Sequence, residues 1–366
     1  MEYFPAAVIQ DRIKDFFVHS IEHERLAHAF IFYGEEGRGK EAFALELAKA
    51  LNCEAEDRRP CNQCASCTKI NHLNHPDVKV LFPVTSRTKA TELKELFRAK
   101  AENPYSPTDV VGHKNIAIEK IRELKREATY APFEARKRFF IIAGAEYMAR
   151  EASNSFLKLL EEPPENLIII LITRDYHNLL DTIRSRCQSV YFPEFSGQQM
   201  KEIINRYQTV DQDLDVLIRI SRFNLKKVYR LLHSAYQQQR EVVYEFLKAL
   251  ASGNMFLTAQ IIDRITQKRD KNYILEILDL LVLWLQDALH VQILGTKAQL
   301  LNLDFEEAIA KFSDYYLGAD LRKIIERVEE AARQITMNGH PALTLTSLAI
   351  DMHEKLTIQP TSKEAV

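Results

Sequence analysis

Glycine is scarce in this 366-residue chain, with 10 in all, tryptophan occurs once, and neither sign of charge dominates. So little glycine, beside 12 prolines, excludes collagen-like and low-complexity architectures and fits a helix-rich chain. Lys and Arg number 49 against 51 Asp and Glu, a net charge of −2, so no global positive field draws the protein onto nucleic acid or an anionic membrane. Any contact with DNA has to be local or borrowed from partners. Long apolar runs are missing too. Residues 167–173 are too short to span a bilayer, and residues 273–295 are interrupted by Glu276, Asp279, Asp287 and His290. The opening Met1-Glu2-Tyr3-Phe4 has no basic stretch ahead of an apolar one, which sets the expectation of no secretory leader and a cytoplasmic protein with no membrane contact. What is present, 46% hydrophobic and 27% charged residues, is ordinary globular composition, and at roughly 150 residues per domain the length predicts two to three domains.

Cysteine occurs five times, too seldom for a disulfide scaffold, yet Cys53, Cys61, Cys64 and Cys67 form a C-x7-C-x2-C-x2-C run. In a reducing compartment such a run reads as a Zn²⁺ site, because two-residue gaps let one turn present two sulfurs to a metal that favours four soft donors. Four thiolates close the shell and leave no place for water, so the metal would be structural. Free or redox-active thiols, or His72 or His75 in place of one thiolate, are the alternatives.

Five short β-type runs lie in the first half, at residues 29–33, 78–82, 139–143, 167–173 and 189–192. Several are continuously apolar, as strands covered on both faces are, and helical stretches at 41–51, 116–129 and 149–162 supply crossovers for a parallel α/β sheet. Pro163-Pro164 stops the last of these helices. Residues 84–115, with Pro104 and Pro107, read as an elaborated connection. After Phe195 strand patterns vanish. Residues 196–236 predict a small helical unit with Ser196 as N-cap, and residues 237–366 an all-helical region whose apolar 273–294 helix, carrying Trp284, belongs inside a bundle.

Between the first apolar strand and the next helix stands Gly34-Glu35-Glu36-Gly37-Arg38-Gly39-Lys40-Glu41, a G-x-x-x-x-G-K phosphate-binding loop. Its glycines free backbone N–H groups to wrap a phosphate, the helix N-terminus adds positive potential, and Lys40 would reach the outer phosphates. Glu41, however, replaces the Ser or Thr whose hydroxyl binds Mg²⁺. A later strand ends Ile141-Ile142-Ala143-Gly144-Ala145-Glu146, without the acidic pair that holds Mg²⁺ and orients water. With both parts missing, hydrolysis is not expected, and whether ATP binds at Gly34, Gly37, Gly39 and Lys40 stays open.

Three segments then converge: Arg25 to Phe32 ahead of the loop, Asn154-Ser155-Phe156-Leu157-Lys158-Leu159-Leu160-Glu161-Glu162-Pro163-Pro164, and Ser185-Arg186-Cys187. With the four-cysteine insert, they resemble the bacterial DNA polymerase III clamp-loader subunits, a family of AAA+ proteins, over roughly residues 5–195. Ser155 and Phe156 depart mildly from that family's N-A-L-L-K-x-L-E-E-P-P pattern. His75-Pro76-Asp77 and Ala131-Pro132-Phe133-Glu134 look like its delta-prime branch. The resemblance implies a RecA-like AAA+ P-loop domain over residues 1–195, a small helical lid over 196–236 and an all-α collar domain over 237–366. It implies a stator that assembles with the gamma/tau and delta subunits, loads a sliding clamp on primed DNA, and projects Arg186 as an arginine finger onto ATP held by a neighbouring motor. The motors are expected to carry an Asp-Glu pair where this chain has Ala143 and Gly144. A nucleotide-sensing lid residue would fall near Asn224 to Lys227, with no one residue assigned.

Read without the resemblance, Arg186 is a surface ion pair, Cys187 a packing residue, and Lys158 with Glu162 an i, i+4 pair on a helix stopped by two prolines. Lys120, Arg122, Lys125, Arg126, Arg136, Lys137 and Arg138, interspersed with Glu119, Glu123, Glu127 and Glu134, read as a solvated mixed face. DNA binding by the chain alone is expected to be weak or absent. Two rival functions remain: an active clamp-loader ATPase of the gamma/tau class, using Lys40 with Glu41 and Glu146, and a zinc-containing DNA-binding scaffold with a dead P-loop.

Overall fold

Parallel strands joined by helical crossovers are covered on both faces, and the runs at 29–33, 139–143 and 167–173 meet that condition, whereas the edge strand at 188–191 is largely exposed. The computed structural model describes residues 1–85, 88–107, 114–210, 214–233, 236–268, 270–298 and 300–357. Two short strands, β1 (Glu2–Tyr3) and β3 (Arg58–Arg59), pair in parallel apart from the main sheet. That sheet comprises β2 (Ala29–Tyr33), β4 (Val78–Leu81), β5 (Arg138–Ala143), β6 (Leu167–Thr173) and β7 (Gln188–Tyr191), all parallel, in the order β4-β5-β6-β2-β7. Its first helices are α1 (Asp11–Glu22), α2 (Lys40–Asn52), α3 (Ala65–Asn71), α4 (Ala90–Glu102), α5 (Ile118–Ala128), α6 (Arg150–Glu161) and α7 (Asp181–Arg184).

Side chains alternate across a strand, so each strand feeds two cores. Phe30, Phe32, Phe139, Ile141, Ile168 and Ile170 pack on one face with Phe17 of α1 and Phe43 and Leu47 of α2. Ala29, Ile31, Phe140, Ile142, Ile169 and Leu171 pack on the other with Ile121 of α5, Phe156 and Leu160 of α6, and Ile183 of α7. Each large side chain so buried contributes on the order of 2 kcal/mol. This sheet anchors a compact unit comprising Met1–Leu214 and Ser221–Arg230.

The second unit comprises Asp215–Ile220 and Leu231–Val366. Through both run α8 (Gly197–Tyr207), α9 (Leu214–Ile220), α10 (Leu225–His233), α11 (Tyr236–Ala251), α12 (Met255–Gln267), α13 (Lys271–Leu294), α14 (Glu306–Tyr315), α15 (Leu321–Thr336) and α16 (Pro341–Thr357). Ser196 caps α8, accepting from the Gln199 amide at 3.2 Å. Helix α13 packs against α15, α14 and α11, and Trp284 meets Phe312 edge-on with ring centroids 5.0 Å apart. The Asp287 interruption has a partner set: its fully buried carboxylate accepts from the Leu301 amide at 2.9 Å and from the Asn302 amide and Nδ2 at 2.8 Å. Among the described residues no helix is long and apolar enough to cross a membrane.

Two expectations need correction, and a third gains detail. The segment 84–115 contains a regular helix, α4, whose one well-buried side chain is Lys100, so it shows little apolar periodicity. Positions 86–87 and 108–113 of that segment lie outside the described residues. Lys158 and Glu162 do not pair: α6 ends at Glu161, and Glu162 has turned off the helix at φ −126° and ψ 66°, ahead of the two prolines. Arg138 is not on a solvated face. It is buried, donates to the Asp77 carboxylate at 2.8 Å and to the carbonyls of Tyr130 and Ala131 at 2.8 and 3.0 Å.

Asp77 also accepts from the amides of Phe133, Glu134 and Ala135 at 2.8, 2.9 and 3.0 Å, so His75-Pro76-Asp77 and Ala131-Pro132-Phe133-Glu134 are two halves of one buried knot. Burial alone raises the Asp77 pKa, but these amides and Arg138 outweigh it and bring the carboxyl down to about 2. A group whose pKa is depressed on folding stabilises the fold above its unfolded value and loses that contribution as pH falls toward the folded one. Denaturant unfolding should therefore show Asp77→Ala, which strands a buried guanidinium, costing roughly 3–5 kcal/mol at neutral pH, with the gap to wild type narrowing between about pH 4 and pH 2. A gap that is small or constant with pH would show that Asp77 carries no such charge in the folded chain.

Candidate functional site

Ligands of parallel α/β sheets sit outside the carboxyl ends of the strands, and β2 delivers the loop from Gly34 to Lys40 there. Gly37 and Gly39 both adopt φ +76°, which a side chain rarely tolerates, and a Cβ on Gly37 would lie 2.6 Å from the Asn224 side chain and the Lys226 amide. Lys40 opens α2 but turns back, donating to the carbonyls of Gly34 at 2.5 Å and Glu35 at 2.6 Å. Burial pushes its ammonium down to about 8, against the opposing pull of Glu41, Glu36 and Glu146.

Two carboxylates of the cleft are paired from within. Glu41, where a Mg²⁺-binding hydroxyl would stand, holds the ammonium of buried Lys100. Glu36 meets Lys226 at 2.5 Å from the first turn of α10. Burial raises the Glu36 pKa, and Lys226, with Lys114 and Arg174, more than reverses this. Ala143 and Gly144 end β5 without a carboxylate, and Gly144 has no room for one: a Cβ would stand 2.9 Å from Pro83 and Tyr147. Glu146 lines the cleft, with Oε1 accepting from the Arg174 amide at 3.2 Å and Oε2 without a partner among the described residues.

The four clustered cysteines come together behind α2. Cys53 follows the last turn of α2, Cys64 caps α3 and Cys67 lies in its first turn, so two helix ends and the loop between them supply the sulfurs. All four Sγ atoms lie within 4.8 Å of one another, and a tetrahedral zinc with Zn–S near 2.3 Å holds sulfurs about 3.8 Å apart. Backbone amides point at the sulfurs: Cys61 N to Cys53 Sγ at 3.3 Å, Cys64 N to Cys61 Sγ at 3.3 Å and Cys67 N to Cys64 Sγ at 3.4 Å. Four soft sulfur donors gathered at one point fit zinc. His75 is occupied elsewhere, its Nδ1 accepting from the Asp77 amide at 3.1 Å.

Arg186 follows α7, half-exposed. Its Nη1 donates to the Thr182 carbonyl at 2.8 Å and Ser185 Oγ at 3.2 Å, and its Nη2 pairs with Glu161 at 2.8 Å. Cys187 lies under the surface, where burial pushes its thiol up to about 12 and leaves it chemically quiet.

The family model described as DNA polymerase III, delta subunit, matches residues 9–196, more than half of the chain. The chain belongs to the DNA polymerase III delta-subunit family. It is 27% identical over 349 residues to the DNA polymerase III subunit delta' of Bacillus subtilis (strain 168), covering 94% of this chain and 97% of that one. It is also 22% identical over 365 residues to subunit tau of the same organism, covering 93% and 59%, and 29% identical over 222 residues to subunit gamma/tau of Mycoplasma pneumoniae, covering 60% and 28%. A solved gamma subunit-related protein of Thermotoga maritima aligns over 93% of this chain and 99% of its own, at 17% identity and a TM-score of 0.45. This delta-family chain is thus a clamp-loader-related subunit of the delta-prime kind, with an α/β parallel-sheet part followed by helices.

The ion pairs that fill the cleft are what sequence reading missed. Lys100 lies in a helix that buries no apolar stripe, and Lys226 lies 190 positions from Glu36. The one available signal was Glu41 itself, since a carboxylate that close to a phosphate-binding loop calls for a cation.

Protein purified without chelator should carry about one Zn²⁺ per chain by elemental analysis, and Cys67→Ser should lower both zinc content and thermal stability. Metal-free protein of unchanged stability would leave the cluster as four thiols.

Proposed function

We propose that this delta-family subunit is a non-hydrolysing stator of the clamp loader. It assembles in the cytoplasm with the gamma/tau and delta subunits, takes part in loading the sliding clamp on primed DNA, and lends Arg186 in trans to ATP held by a neighbouring motor. The observation that carries the reading is the Glu41–Lys100 pair, together with Ala143 and Gly144 at the end of β5. Phosphoryl transfer depends on Mg²⁺ held by a loop hydroxyl and a carboxylate, with a further group orienting the nucleophile. A carboxylate committed to an internal ammonium does none of this, and any nucleotide resting on Gly34, Gly37, Gly39 and Lys40 stays intact.

Four further parts complete the proposal. Zinc held by Cys53, Cys61, Cys64 and Cys67 has a closed coordination shell, so it stiffens the turn between α2 and α3 and does no chemistry. The chain works as three domains, residues 1–195 for the P-loop fold, 196–236 for the lid and 237–366 for the collar. Arg186 stands half-exposed, and a permanently charged, fork-shaped guanidinium suits the charge that develops on a γ-phosphate. DNA is met through the assembled complex, in keeping with the net charge of −2.

Steady-state ATP hydrolysis by a bacterial gamma/tau motor, reconstituted with delta, clamp and primed DNA, tests the reading. The chain alone should be silent. Arg186→Ala should assemble yet remove most of the turnover at the one site it serves, where a trans finger is worth on the order of 10³–10⁵. Mg²⁺-dependent turnover by the chain alone, abolished by Lys40→Ala, would make it a motor of the gamma/tau class. Tight, salt-sensitive DNA binding by the chain alone, with no effect of Arg186→Ala on any ATPase, would make it a DNA-binding scaffold.

A further inference from the structure

Two of the three sequence segments that pointed to the clamp-loader family meet at one ion pair. Glu161 is the last residue of α6, and Arg186 follows α7, which packs against α6. The guanidinium is held on two sides by different means. On one side Nη1 is bound to protein that does not move independently of α7, the Thr182 carbonyl at 2.8 Å and the Ser185 hydroxyl at 3.2 Å. On the other, Nη2 is held only by the Glu161 carboxylate, at 2.8 Å, and Nε has no partner among the described residues. The Arg186 side chain is 35% exposed and that of Glu161 47%, so water and salt reach the pair.

We propose that Glu161 is a parking carboxylate for Arg186, a positioning residue that holds Nη2, on the Nη2 and Nε edge of the guanidinium, until an oxyanion of a neighbouring nucleotide takes that edge. This rests on the reading of Arg186 as a trans finger and adds how that finger is held and released. The edge left to Glu161 is one of the two that can grip a phosphate with paired N–H donors, whereas the Thr182 contact keeps the side chain aimed during the exchange. Because the Glu161 pair is exposed, giving it up costs little, and a phosphate brings more charge to the same donors. An unparked Arg186 would be free to sample other rotamers, yet it would also meet its phosphate without first breaking a contact. With Thr182 still holding Nη1, the second effect prevails.

The reconstituted clamp loader again provides the assay, with full-length wild type, Glu161→Gln, Arg186→Ala and the double variant compared across NaCl concentrations, and complex formation checked by size-exclusion chromatography. Glu161→Gln should raise the stimulated ATPase rate by about two- to five-fold at low salt, the range that losing one exposed ion pair allows. The advantage should fade as salt rises, because screening already weakens the wild-type pair, and should vanish when Arg186 is Ala. Glu161→Ala should behave as Glu161→Gln does. If Glu161→Gln is no faster, or slower, while Arg186→Ala is impaired, the finger stands and the parking role falls. If Arg186→Ala hydrolyses at the wild-type rate, the finger reading falls first and takes this one with it. A Glu161 variant that fails to assemble would mark Glu161 as an interface contact and also overturn the proposal.

Discussion

A parallel sheet whose central strands have no exposed face constrains everything in the first unit. β5 and β6 are buried along their whole length on both sides, so the chain has to return over the sheet as a helix between strands, and every loop at the carboxyl ends converges on one rim. The phosphate-binding loop, the end of β5 and the turn after β6 are neighbours for that reason alone. Whether such a rim performs chemistry then depends on a few side chains, and fold by itself does not decide it.

At this rim the charges are matched internally. Glu41 has Lys100, Glu36 has Lys226, and Lys40 has two carbonyls of its own loop. In a working phosphate site those cations would await an external anion and a metal. Here Glu41 is committed to Lys100, and the space beside Gly144 is filled by Pro83 and Tyr147. Opposite charges placed so close at a half-buried rim stabilise the resting arrangement.

What could be read from the sequence follows from how locally each feature is encoded. β2 and β6 were legible to the residue because continuous apolar runs between turn signals admit few other readings. The four cysteines were legible because their ligand spacing is written within two turns and a loop. Helix α4 was not, since it buries Lys100 rather than an apolar stripe and two prolines follow it. Arg138 was misread for the converse reason: a charged residue in a charged neighbourhood looks solvated until a buried carboxylate, 61 positions away in the chain, is found opposite it. Pairs of this kind leave no periodic trace, and the cleft is built mostly from them.

The Asp287 carboxylate ties the loop at residues 301–302 to the middle of α13. Opening that loop alone would leave a buried, unpaired charge behind, so the loop and the helix should open together rather than one after the other. An irregular surface connection thereby takes on the exchange lifetime of a core helix, and its amides at Leu301 and Asn302 keep time with the interior of α13 instead of with solvent.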